Sequence, residues 1–145
     1  MGLPRLVSAY PLVTTEHMAA CRDFHVRHFG FQVVFEASWF VLLNRAADEG
    51  SVSLAFMTRD HPSRPPGPET FNGQGLLLTL QTDDAAAEAA RLRAAGVAIS
   101  YPLTREPWGQ HRFQVRDPAG LVLDIVEQVA PEDGFWERYG VAAAG

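Results

Sequence analysis

Along the 145-residue chain the apolar and polar positions change period several times, and each change marks a new element. "RLVSAYPLV" (5–13) reads as a strand. In "TTEHMAACRDFHVRHFG" the spacing turns helical, with Met18, Cys21, Phe24 or His25, and His28 or Phe29 on one stripe. A cap at Thr15 and a closing Gly30 bound that helix. Three β-rich runs follow, "FQVVFEA", "WFVLLNR" and "SVSLAFMT", parted by short turns that hold Ser38 and "AADEG". "RDHPSRPPGPETFNGQG" (59–75), with four Pro and three Gly, has no period and reads as a loop or linker.

The pattern then begins again. "LLLTLQ" predicts a strand, and "DDAAAEAARLRAAG" a helix with an acidic first turn, Arg near its end and a closing Gly96. "VAISYPL", "HRFQVR" and "LVLDIVEQV" predict three more strands, the last two joined by the turn "DPAG". Strand–helix–strand–strand–strand therefore occurs twice, over roughly 5–58 and 76–128, and the two helix-ending glycines lie 66 residues apart. We take this as a duplicated βαβββ unit, although identity between the halves is slight. The tail "PEDGFWERYG" puts Phe135, Trp136 and Tyr139 on one side of a short helix (131–140) stopped by Gly140, an aromatic face that needs a cover.

Composition narrows the function. All twelve basic residues are Arg, there are twenty Ala, and the net charge is −5, which argues against nucleic acid as a partner. No run of 18 apolar residues exists to span a membrane, and the first residues lack a cleavage-site pattern, so neither a membrane nor export is expected. The single Cys21 excludes an intrachain disulfide, fits a cytoplasmic location, and reads as a structural thiol in a helix.

The paired modules, "MAACRDFHVRHFGF" after the first strand and "DPAGLVLDIV" at the end of the last, resemble the glyoxalase/bleomycin-resistance/extradiol-dioxygenase superfamily, whose fold is called vicinal oxygen chelate. His17, Cys21, Phe24, His25, Phe29, Gly30 and Phe31 carry the first likeness; Asp117, Pro118, Ala119, Gly120, Leu121 and Asp124 carry the second. The resemblance covers about residues 5–130. It implies an α+β protein of one domain over 1–145, in which two tandem βαβββ modules form a cupped, partly closed mixed β-sheet barrel with helices outside. It also implies a ligand cavity within and assembly as a homodimer.

Enzymes of the superfamily hold a divalent metal from strands one, four, five and eight. Carried onto this chain, those positions fall on Tyr10, on Ser53 or Ala55, on Leu77 and on Asp124. One carboxylate cannot make a three-ligand site with an open position, so no metal and no other cofactor is expected. His17, His25 and His28 are assigned to a helix outside the cup, as surface histidines, and His61 to the Pro-rich loop. His111 is the one histidine near the cavity, and strand parity, left open by the sequence, decides whether it meets Asp124.

Without a metal, the resemblance leads to the branch that sequesters aromatic or heterocyclic antibiotics or toxins at a dimer interface, to which "PWGQ" ahead of "DPAG" is similar. The candidate walls are Tyr10, Trp39, Phe40, Phe56, Phe71, Trp108 and Phe113, with Phe56 and Phe113 more in keeping with core. The candidate polar anchors are Gln110, His111, Arg112 and Asp124. The competing expectation is an enzyme of the same fold, a lyase, isomerase or dioxygenase, with Asp124 as ligand or base.

Overall fold

The computed structural model describes residues 2–142. Its elements run β1 (Leu12–Thr15), α1 (Met18–Phe29), β2 (Gln32–Glu36), β3 (Phe40–Ala47), β4 (Gly50–Thr58), β5 (Leu77–Gln81), α2 (Ala85–Ala94), β6 (Tyr101–Glu106), β7 (Gln110–Arg116) and β8 (Val122–Gln128). A short 3-10 turn, Trp136–Tyr139, follows. The strands form two four-stranded mixed sheets of identical topology, β1-β4-β3-β2 and β5-β8-β7-β6. In each, the first strand runs parallel to the last and the other pairs are antiparallel. The expected α+β architecture of two βαβββ modules is what the chain adopts. It divides into two compact units, residues to Gln74 with Asp117–Gly120, and Gly75–Arg116 with Leu121 onward.

Two strands differ from expectation. The first is short, Leu12–Thr15 in place of 5–13, because Pro4 and Pro11 have no N–H for a ladder; Pro11 joins only by accepting from the Ala55 N–H. The sixth starts at Tyr101, four residues late, since 97–100 is spent leaving α2 through Gly96, whose φ is +84°.

In the first unit, α1 lies on the face of its sheet that carries Val41, Leu43, Leu54 and Phe56, all fully buried. The buried stripe of the helix is Cys21, His25 and Phe29, at i, i+4 and i+8. His25 is therefore not a surface histidine, which corrects the expectation above. It is fully buried, stacks on Phe56 (ring centroids 5.5 Å apart) and donates from Nε2 to Asp117 Oδ2 at 2.9 Å. A buried imidazole needs such a partner, and the acid comes from the "DPAG" turn, 92 residues further along. That turn is held by Asp117 itself, whose carbonyl accepts from the Gly120 N–H and whose Oδ1 accepts from the Ala119 N–H. Cys21 is buried beside this pair; burial, and then the charge of Asp117, push its thiol pKa up to about 12.

In the second unit, Asp84 caps α2 by accepting the Ala87 N–H, and Ala85, Ala89 and Leu92 bury the helix without any polar group. The sheet meets them with Phe113, Val115, Leu123 and Ile125.

Candidate ligand site

The register of the second sheet answers the parity question. Phe113 pairs with Ile125, Val115 with Leu123, and His111 with Glu127, so these residues share one face. Glu127 Oε1 accepts the Ala85 N–H at the start of α2, which makes this the helix face. Arg112, Gln114 and Asp124 stand on the other face, joined there by Tyr101 and Glu106 from β6.

These five side chains form one network. Arg112 donates from Nε to Glu106 Oε2 (2.8 Å) and from Nη1 to Asp124 Oδ1 (3.1 Å). Gln114 Nε2 donates to the same Asp124 oxygen (3.0 Å), and the Tyr101 hydroxyl to Glu106 Oε2 (3.2 Å). Both carboxylates are buried, as charges are when a partner neutralises them. Burial works to lower the Arg112 pKa, but the bond to Glu106 and the charges of Asp124 and Glu106 outweigh it and leave it raised. The guanidinium also lies over two rings, 5.1 Å from the centroid of Tyr101 and 5.3 Å from that of Trp108.

Trp108 is set by the corner between β6 and β7. Gly109 follows it at φ +107°, and a Cβ there would stand 2.8 Å from the carbonyl oxygen of Val129, so only glycine fits. The chain after β8 is tied to this corner by three bonds: Val129 N–H to Gly109 O (2.8 Å), Glu132 N–H to Pro107 O (2.9 Å) and Trp136 Nε1 to Trp108 O (2.8 Å). The tail so fastened brings Phe135, Trp136 and Tyr139 to Trp108, and the four rings line a cleft of about 310 Å³. Trp136 meets Phe135 edge-on at 5.2 Å, and Phe135 lies 6.4 Å from Trp108. Trp108 is thus shared by an aromatic cleft and a charged network.

Of the residues named from sequence, Trp108, Gln110, Arg112 and Asp124 come together; Gln110 Oε1 accepts from Trp108 Nε1 at 2.8 Å. Phe113 and His111 lie on the helix face, Phe113 as core. In the first unit Phe56 is core under α1, while Phe40 pairs with Met57 on the opposite face. Trp39 precedes β3 and meets the Phe40 ring at 5.8 Å. Phe71 lies in the long loop and donates its N–H to Thr14 O, and Tyr10 is exposed ahead of β1. Sequence reasoning missed Tyr101, Glu106 and Gln114 and left the tail aromatics outside the site. Their one signal was the aromatic face at 135–139.

The side chains do not fit the superfamily's metal. Asp124 is taken by Arg112 and Gln114, its neighbour on β5 is Thr79, and Leu12, Thr14, Ala55 and Met57 occupy the comparable face in the first sheet. Among the described residues no three His, Cys, Asp or Glu side chains are grouped to hold an ion.

A family model described as glyoxalase/bleomycin resistance protein/dioxygenase superfamily matches residues 7–125. The chain belongs to that superfamily. Solved members have the same fold. A glyoxalase/bleomycin resistance protein/dioxygenase from Nocardioides superposes with a TM-score of 0.70 at 17% identity, over 88% of this chain and 87% of the other. For a lactoylglutathione lyase from Agrobacterium tumefaciens the values are 0.65, 17%, 86% and 96%. For TnmS3, an antibiotic binding protein from a Streptomyces species, they are 0.59, 26%, 86% and 99%. No curated protein sequence matches the chain. The chain thus shares its two-module fold with these structures, and on its last strand Asp124 has an arginine partner.

Proposed function

We propose that this protein binds a planar aromatic or heterocyclic small molecule, of the antibiotic or toxin kind, and holds it without a metal and without turnover. The observation that carries the proposal is Trp108, one ring of a four-ring cleft and at the same time a neighbour of the Glu106–Arg112–Asp124 network. Stacking supplies affinity to flat molecules, and convergent polar atoms fix their orientation. The likeness to an antibiotic-binding protein at 26% identity agrees with this. An enzyme using Asp124 as metal ligand or base would need that carboxylate released from Arg112. In this proposal the protein acts as a homodimer in the cytoplasm, and native mass measurement tests the assembly.

Thermal shift against a panel of planar natural products, bleomycin- and mitomycin-type compounds included, tests the binding. The expected result is ligand-dependent stabilisation with the ligand recovered unchanged. Turnover of any bound compound, or stoichiometric metal in protein purified without chelator that is lost in Asp124→Ala, would overturn it.

A further inference from the structure

The network of the second sheet is unbalanced in a way that specifies the ligand further, granted the binding function proposed above. Two buried acidic side chains, Glu106 and Asp124, share one guanidinium, so acids outnumber cations in the network. No second cation among the described residues is bonded to either acid. An anionic ligand brought to this face would meet two acidic groups and one cation, with little solvent to screen them.

Arg112 itself is not saturated. Its Nε and Nη1 are committed to the acids, while Nη2 donates to none of the described residues, and the side chain keeps 18% of its surface accessible. The fork is rigid, clamped by two acids and flanked by the Tyr101 and Trp108 rings, so the direction of the remaining donor is set before any ligand arrives. A guanidinium N–H beside the Trp108 ring suits an oxygen acceptor at the edge of a molecule stacked on that ring. Because Glu106 and Asp124 already exceed the cation, that acceptor is best a neutral carbonyl and worst a carboxylate.

We propose that Arg112 Nη2 is the orienting donor for a carbonyl oxygen on an uncharged planar aromatic ligand, and that Glu106 and Asp124 reject acidic ligands from the same place. The ligand class is then flat ketones, lactams and related carbonyl compounds without an acidic group.

Three tricyclic probes of nearly equal size test this by fluorescence titration: acridone, which carries the carbonyl, acridine, which lacks it, and acridine-9-carboxylate. Wild-type protein should bind acridone about tenfold more tightly than acridine, the worth of one charge-assisted hydrogen bond. It should bind the carboxylate more weakly than either. In Arg112→Lys, which keeps the charge and loses the fork, the acridone–acridine gap should close. A merely structural arginine would instead weaken both equally. A carboxylate that binds as well as acridone, or a gap that survives in Arg112→Lys, overturns the inference. The wild-type ranking decides the matter even if the variant does not fold. Binding of all three without preference sinks this inference alone, whereas binding of none in wild type sinks the proposed function together with it.

Discussion

The two modules share a topology and differ in where they keep their polar side chains. The first places a buried pair, His25 and Asp117, between helix and sheet, and gives the opposite face of its sheet uncharged side chains, among them Leu42, Ala55 and Met57 with Thr14, Asn44 and Ser53. The second does the reverse. Among the described residues its helix seat buries no ion pair, although His111 and Glu127 stand on that face, and the network of Tyr101, Glu106, Arg112, Gln114 and Asp124 stands on the face away from α2. The modules thus share a topology, while each buries its charged groups on a different side. Among the described residues only the second module joins that charge to an aromatic cleft, so the proposed ligand chemistry belongs to one of two modules of like topology.

Four measurements would break or sharpen this contrast. The largest effect is expected where the modules are alike. Phe56→Ala and Phe113→Ala each remove a fully buried ring from a helix-facing core and should cost about 4 kcal/mol in denaturant unfolding. A cost in one far below the other would show that the cores are not equivalent. Next comes the polar seat of the first module. Asp117→Ala leaves His25 Nε2 buried without its acceptor and should cost about 2–3 kcal/mol, with Asp117→Asn recovering part of it. Smaller again is Gly109→Ala, which forces a Cβ against Val129 O at a positive φ and should cost about 1–2 kcal/mol. Because that corner seats the tail, the variant should also change the tryptophan fluorescence of the cleft, and unchanged emission would detach Trp136 from Trp108.

The last effect depends on pH and is the smallest of the four near neutrality. With its folded pKa raised from 9.0 to about 12, the Cys21 thiol favours the native state fully below pH 9. Above it the unfolded thiol ionises and the buried one does not, so stability falls by up to about 1.4 kcal/mol per pH unit as pH climbs toward 12. Cys21→Ala should flatten that decline, and native protein should resist thiol reagents at pH 8.

Much of this was legible in the sequence, because periodicity, helix-ending glycines and the "DPAG" turn are local signals. The buried stripe of α1 was not. Phe24 and His25 compete for the same position at helical spacing, and only the sheet beneath decides for His25. The charged network was half legible. Arg112 and Asp124 stood out near the last strand, but Glu106 and Tyr101 join them through the pairing of β6 with β7, which residue types do not reveal. The tail aromatics were visible as a face in need of a cover, and the Trp108 corner they meet was noted separately. What joins them is Gly109, through a backbone approach that no side-chain pattern announces.

The turn at 117–120 also bears on how the protein is made. A ribosome releases His25 long before Asp117 exists, so the nascent first unit cannot bury that imidazole against its acid until the turn at 117–120 has emerged. The first half should therefore remain loose during synthesis and lock late, and two separately expressed halves should assemble only if the fragment carrying 117–120 is present.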